Sequence, residues 1–117
     1  MIDLALKRAE YVRRLEAAVP RVPGLLSGLA GIERVSVIGS YARGRRDLFT
    51  DLDLVVVWRT DLPLLERLKR LHALLDLGVD FDVLCYTPEE FADMRDEPFL
   101  RRALGDEIVL HETTAAR

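Results

Sequence analysis

The chain has 117 residues, of which 50% are hydrophobic and 32% are charged, and its net charge is −3. This balance excludes a disordered chain, and the length suits one hydrophobic core, so we expect a single domain over residues 1–117. The longest apolar run, Leu54–Trp58, is far shorter than the roughly 18 residues of a membrane helix.

Cysteine content, charge pattern and the first residues narrow the class further. Cys85 is the one cysteine, which excludes an internal disulfide and a cysteine-based zinc site. The arginines are scattered and form no basic stripe, so we expect no dedicated nucleic-acid surface. The first residues do not combine a basic start with an apolar stretch, as a secretory signal would. These features predict a cytoplasmic protein without a membrane segment.

Hydrophobic periodicity predicts helices at the start of the chain. Apolar residues at steps of three and four predict an amphipathic helix over residues 2–19. The stretch Pro20–Gly24 is predicted to end this helix, and residues 25–30 are predicted to form a short second one. The alternating segment Arg34–Ile38 then predicts a strand that runs into Gly39.

The rest of the chain predicts strands and helices in alternation. In chain order these are a strand over 51–58, a helix over 61–77 that stops at Gly78, a strand over 79–86, helices over 89–94 and 98–104, and a strand over 108–112. Thr87, Pro88 and Glu90 suit the cap and first turn of a helix. This order predicts an α/β (α+β) domain with a small mixed sheet flanked by helices.

A small, flexible pair, Gly39-Ser40, follows the first predicted strand. Such a pair lets the backbone approach a ligand closely, and a helical turn that begins at Tyr41 would direct N–H groups at an anion. A Gly-Ser pair is more often a simple turn, so this feature alone leaves both interpretations open.

Two carboxylates, Asp51 and Asp53, lie at the start of the second predicted strand. Residues two apart in a strand share a face, with Cα atoms about 6–7 Å apart, so the two charges repel each other. A cation between them would remove this repulsion, and carboxylate oxygens suit Mg²⁺ or Mn²⁺. The pair alone is equally compatible with two solvated surface acids.

The third predicted strand adds two more acids, Asp80 and Asp82, which also share one face. If this strand pairs beside the second, either acid can complete a three-carboxylate cluster with Asp51 and Asp53. Strand periodicity does not choose between Asp80 and Asp82, because both lie on the same face.

The motif that joins these residues resembles a family signature. Gly39-Ser40, followed after ten residues by Asp51-Leu52-Asp53, is similar to the Gly-Ser and Asp-x-Asp signature of the DNA polymerase β-like nucleotidyltransferase superfamily. The segments 39–44 and 50–56 resemble its small prokaryotic branch, the minimal nucleotidyltransferases. The resemblance extends over residues 30–110, most of the chain.

The resemblance implies a fold and a reaction. The fold is the polymerase β-like palm, and the reaction transfers a nucleoside monophosphate, AMP from ATP, to a hydroxyl group with Mg²⁺ or Mn²⁺ in a two-metal site. In the minimal branch, the third acid lies on a strand that precedes a Thr-Pro-Glu-Glu-Phe-like helix start. Residues 87–91 match that start, which favours Asp82 over Asp80.

The resemblance also assigns roles to single residues. The implied catalytic and metal-binding residues are Asp51, Asp53 and Asp82. Of these, Asp82 is implied to receive the proton of the acceptor hydroxyl. The implied nucleotide-binding residues are Gly39 and Ser40, which would hold the β- and γ-phosphates, and Arg43, which would neutralise the departing pyrophosphate.

A partner protein is implied as well. Small members of this branch commonly pair with helical HEPN-domain proteins, and some act as antitoxins that adenylylate a HEPN toxin on tyrosine. This chain leaves no room after the predicted catalytic core for a substrate-binding helical domain. We therefore expect a separate HEPN-domain protein as partner and acceptor, in a toxin–antitoxin pair.

Two other interpretations compete with the enzyme. One is a non-catalytic antitoxin that neutralises a HEPN partner by covering it, with the acids left from a lost activity. The other is a magnesium-binding structural domain without a nucleotide, which requires the Gly-Ser turn to be coincidental. The acids and the Gly-Ser pair are all intact, which favours the enzyme.

Several other polar side chains carry weaker predictions. Arg45 and Arg46 extend the basic set near the Gly-Ser turn, but lie in a loop predicted to be mobile. Tyr41 suits either base stacking or packing. His72 and His111 have no third histidine near them in sequence, so neither is predicted to bind a metal.

Overall fold

Six helices flank a four-stranded sheet in residues 3–113, the part of the chain that this computed structural model describes. The helices are α1 Leu4–Ala18, α2 Val22–Leu26, α3 Gly39–Ala42, α4 Leu64–Leu74, α5 Pro88–Met94 and α6 Pro98–Gly105. The strands are β1 Ile32–Ile38, β2 Leu52–Trp58, β3 Phe81–Tyr86 and β4 Ile108–Glu112. The predicted α/β class, with a small mixed sheet flanked by helices, is confirmed.

The sheet has the order β3-β2-β1-β4. β1 runs antiparallel to both β2 and β4, whereas β2 and β3 are parallel and are connected through α4. A parallel pair needs such a crossover, because a short turn can join only antiparallel neighbours. The parallel pairing places the starts of β2 and β3 side by side, beside the end of β1.

The two faces of the sheet are covered unequally. One face packs against α1, α2 and α4, and carries the larger hydrophobic core, to which Leu15, Leu26, Leu54 and Leu71 belong. The other face packs against α5 and α6, and its buried set is Ile38, Val55, Val57, Phe91 and Leu100. Because side chains alternate along a strand, Asp53 shares this second, less covered face with Val55 and Val57.

An ion pair joins the helices on the two sides of the sheet. The guanidinium of Arg67 in α4 is buried and donates to both carboxylate oxygens of Glu90 in α5, at 2.9 and 3.1 Å. Glu90 also accepts from the backbone N–H of Thr87, whose hydroxyl accepts from the N–H of Glu90. This reciprocal capping confirms the helix start predicted there.

The first third of the chain differs from prediction in its second helix. α1 begins after Asp3, whose carboxylate caps it by accepting from the N–H of Leu6, and Ile2 lies outside the described residues. The predicted helix over 25–30 is wrong, because α2 covers Val22–Leu26 and follows α1 through one 3₁₀ turn. Pro23 lies in the first turn of α2, where a missing N–H breaks no helical hydrogen bond.

The boundaries around β2 and α4 also differ from prediction. β2 begins at Leu52, so Asp51 precedes the strand rather than starting it. α4 is shorter than the predicted 61–77, because Pro63 is extended and Leu75 leaves the helical conformation. Gly78, with φ of 73°, therefore lies in the turn before β3 and does not cap α4.

None of the helices between residues 3 and 113 combines the length and the apolar composition that a membrane crossing requires.

Candidate active site

The end of β1 approaches the start of β2 very closely at Gly39. This residue begins α3 with φ of +75°, a conformation that glycine adopts without a steric penalty. A Cβ atom placed on Gly39 would lie 2.5 Å from Oδ2 of Asp53. Gly39 is therefore required both by its own backbone conformation and by the space that the Asp53 carboxylate occupies.

Asp53 and Asp82 are neighbours on the sheet. The parallel register pairs Asp53 of β2 with Asp82 of β3, so their side chains lie on the same face. Adjacent strands are about 4.8 Å apart. The predicted choice of Asp82 over Asp80 remains a prediction, but Asp80 precedes β3 and has no partner in the register with β2.

A cavity of about 820 Å³ opens over these two acids. Its volume is within the range of about 300–1,000 Å³ that small-molecule sites occupy. One side of its lining is formed by the predicted site residues Gly39, Ser40, Arg43, Asp53 and Asp82. The sheet and α3 thus bring five of the six predicted site residues to one cavity.

The electrostatics of the cavity are dominated by uncompensated negative charge. Burial, and after it the charges of Asp82 and Asp51, raise the pKa of Asp53 above its usual range. Arg43 acts in the opposite direction but does not outweigh these effects. A carboxylate in this position is short of positive charge, and a divalent cation would supply it.

Asp51 is the predicted site residue that the structure does not place in the cavity lining. It is exposed and precedes β2, so the strand pairing does not hold its side chain on the face that carries Asp53. Within residues 3–113, no group of three His, Cys, Asp or Glu side chains is gathered as a complete metal cluster. Asp53 and Asp82 nevertheless suit Mg²⁺, which commonly takes one or two carboxylates and completes its shell with water and substrate phosphates.

The arginines and the tyrosine around α3 separate into two groups. Arg43 lines the cavity, whereas Arg45 pairs with Asp47 at 2.8 Å. Arg46 lies over the ring of Tyr41, 3.5 Å from its centroid, and Tyr41 is buried in the larger core. Tyr41 therefore has the packing role rather than the base-stacking one, and Arg45 and Arg46 are engaged outside the cavity.

Sequence reasoning missed the opposite wall of the cavity, which α6 forms. Phe99, Arg102, Ala103 and Asp106 line the cavity at steps of three and four, so they share one helix face. The sequence shows this spacing, but not that the face lies over Asp53. The signal that could have drawn attention is a phenylalanine grouped with charged residues on one side of a short helix.

Comparison with known proteins bears directly on this site. A family model described as "Nucleotidyltransferase domain" matches residues 22–111, a segment that contains every predicted site residue. The chain belongs to the nucleotidyltransferase domain family. The match begins after α1, so that helix lies outside the part that defines the family. None of the curated proteins matches the chain.

A solved structure supports the fold of this nucleotidyltransferase domain. It is a chain in the crystal structure of a mutant form of the toxin–antitoxin complex MntA–HpeT, which aligns with a TM-score of 0.59 at 18% sequence identity. The alignment covers 80% of this chain and 72% of that chain. At this identity the likeness is one of fold, and it confirms the predicted nucleotidyltransferase architecture.

Proposed function

We propose that this nucleotidyltransferase domain transfers AMP from ATP to a hydroxyl group on a HEPN-type partner protein, and that it acts as the antitoxin of a toxin–antitoxin pair. The observation that carries the reaction is the shared cavity of Asp53, Asp82 and the Gly39-Ser40 turn. The solved complex named above, a toxin with its antitoxin, supports the setting. Tyrosine on the partner is the acceptor that the resemblance to minimal nucleotidyltransferases favours.

The acids of the cavity are proposed to hold Mg²⁺ or Mn²⁺. Asp53 and Asp82 lie on adjacent strands and supply the carboxylates, and Asp51 joins them from the segment before β2. When bound, such ions neutralise the triphosphate and stabilise the attacking and leaving oxygens. The close approach of Gly39 fixes the Asp53 carboxylate from the side, which limits the rotamers open to it.

The α3 turn is proposed to bind the phosphates. No side chain caps the start of α3, so the backbone N–H groups of Gly39 and Ser40 are available to phosphate oxygens together with the Ser40 hydroxyl. Arg43 lines the same cavity and supplies positive charge for the departing pyrophosphate.

The chemical step then balances as follows. The oxygen of the acceptor hydroxyl forms a bond to the α-phosphorus of ATP, and the bond between that phosphorus and the bridging oxygen to the β-phosphorus breaks. Pyrophosphate leaves, and the hydroxyl proton passes to the Asp82 carboxylate. The neighbouring charge of Asp53 favours proton uptake at Asp82, because two adjacent carboxylates resist being ionised together.

The proposal is tested by transfer of labelled AMP to the protein encoded beside this chain. Asp82→Asn should abolish labelling, because it removes a metal ligand and the proton acceptor together. Asp80→Asn is the matched control: it removes an identical charge two residues earlier, outside β3, and should retain most activity. Equal loss in both variants, with the fold intact by circular dichroism, would contradict the assignment of Asp82.

A further inference from the structure

α6 is held firmly against the sheet beside the candidate active site. Leu100 is only 1% exposed and packs with Val55 and Phe91 on the face of the sheet that carries Asp53. This anchor fixes the orientation of the helix. The face that carries Phe99 and Arg102 is thereby presented to the cavity as a preformed wall.

Phe99 is the unusual residue of this wall. Its side chain is 62% exposed although it lines a cavity on a well-packed helix. The aromatic pairs within residues 3–113 join His72 to Phe81 and Tyr86 to Phe91, so the Phe99 ring stacks on no other described ring. An exposed aromatic ring on a rigid element is a stacking platform for a planar ligand.

The polar residues of the wall complement this ring. Arg102 and Asp106 lie one and two helical turns beyond Phe99 and line the same cavity. Neither takes part in an ion pair with another residue of the described range. The wall therefore offers an aromatic surface, a hydrogen-bond donor and an acceptor, opposite the side that offers N–H groups and carboxylates.

We infer that α6 forms the nucleoside subsite of this domain, with Phe99 stacked on the base of the bound nucleoside triphosphate. The inference rests on the proposed function, because it takes the Gly39-Ser40 side of the cavity as the phosphate side. A nucleotide with its phosphates at α3 would extend its base toward the wall formed by Phe99 and Arg102. The cavity, at about 820 Å³, has room for such a ligand.

Isothermal titration calorimetry with Mg²⁺ present separates the base from the phosphates. ATP and inorganic tripolyphosphate are the two ligands, and the intact chain is compared with Phe99→Ala and Phe99→Trp. Loss of one base–aromatic stack should weaken ATP binding about 5- to 150-fold in Phe99→Ala and leave tripolyphosphate binding unchanged. Phe99→Trp should retain ATP binding, because indole also offers a stacking surface.

Phe49→Ala is the matched control, since Phe49 is even more exposed, at 77%, and lies outside this cavity. It should bind both ligands like the unchanged chain. Equal ATP affinity in Phe99→Ala and the unchanged chain would overturn the inference, and so would an equal weakening of both ligands. Loss of partner binding with ATP affinity intact would also overturn it and assign Phe99 to the protein interface. Failure of the unchanged chain to bind either ligand would instead overturn the proposed function.

Discussion

The hydroxyl of Tyr11 in α1 donates a 2.8 Å hydrogen bond to the backbone carbonyl of Thr50, the residue before Asp51. Thr50 is fully buried, and its hydroxyl accepts from the N–H of Asp47. Helix α1, which lies outside the family match, thus supports the segment that leads into the acidic pair. Burial and the charge of Asp51 raise the pKa of Tyr11, so its phenol remains a donor well above neutral pH.

Tyr11→Phe should lower the free energy of unfolding by about 0.5–1.5 kcal/mol, because the carbonyl of Thr50 loses its donor. Urea unfolding of both proteins measures this difference. Tyr86→Phe removes a tyrosine hydroxyl from β3 instead and serves as the control. Identical stability of Tyr11→Phe and the unchanged chain would show that this hydrogen bond does not support the segment.

Gly39→Ala should abolish ATP binding and destabilise the fold. Any side chain at φ of +75° costs about 1–2 kcal/mol, and the new Cβ would also displace the Asp53 carboxylate from 2.5 Å away. Gly44→Ala is the matched control, because Gly44 has φ of +98° but open space around its missing side chain.

Both glycine variants should therefore lose stability in thermal melts, and only Gly39→Ala should lose ATP binding and AMP transfer. If Gly39→Ala kept its activity, the close approach to Asp53 would have no role in shaping the site. If Gly44→Ala lost activity as well, backbone strain in the loop would explain both variants without any contact to Asp53.

The ion pair of Arg67 and Glu90 predicts a pH dependence of stability. The hydrogen bonds from Arg67 and then from the Thr87 N–H lower the pKa of Glu90 below its usual range. A lowered pKa means that the pair stabilises the fold above the unfolded-state pKa, about 4.3, and that this stabilisation is lost as the pH falls through the folded-state pKa. Glu90→Gln should therefore be less stable than the unchanged chain at pH 7, by about 1–2 kcal/mol after allowance for solvent screening of the half-exposed carboxylate.

Chemical unfolding at pH 7, 5 and 3 checks this prediction. The stability difference between the two proteins should be constant from pH 7 to 5 and should shrink toward pH 3. Glu89→Gln changes the neighbouring carboxylate, whose nearest cation is Arg59 at 3.7 Å, and should show little effect at any pH. A difference that stays the same at pH 3 would assign the effect to packing rather than to charge.

The sequence predicts local features well where one physical rule dominates. The alternation in β1 and β2, the capping box at Thr87 and the shared face of Asp80 and Asp82 all follow from the geometry of single elements. The end of α1 was harder, because Pro23 suggests a break. A proline in a first helical turn starts a helix instead, and neighbouring packing decided between the two outcomes.

The relationships that make the site are long-range and could not be predicted from one sequence. The pairing of Asp53 with Asp82 depends on the register of β2 with β3, which the packing of α4 against the sheet sets. The place of Phe99 over the cavity depends on where Leu100 is buried. Only the resemblance to known nucleotidyltransferases linked these distant residues before the structure did.

Replacing Asp51 and Asp53 together by asparagine separates an enzyme from a binding module. The change keeps side-chain volume and removes two mutually repelling charges, so the fold should be as stable as the unchanged chain or more stable in thermal melts without divalent metal. Asp93→Asn with Asp96→Asn is the control, because these two exposed acids around the end of α5 lie outside the cavity. The control variant should behave like the unchanged chain in every assay.

The same double variant should still bind the HEPN-type partner while it fails to transfer AMP. Interface energy concentrates in buried aromatic, aliphatic and arginine side chains, so loss of two acids at the nucleotide site should leave pull-down of the partner intact. If the partner is a toxin, cells that carry the double variant should lose protection, because covering the toxin without modifying it would not suffice. Full protection by the variant, with no AMP on the partner, would contradict the enzymatic proposal. It would make this chain an antitoxin that acts by steric occlusion.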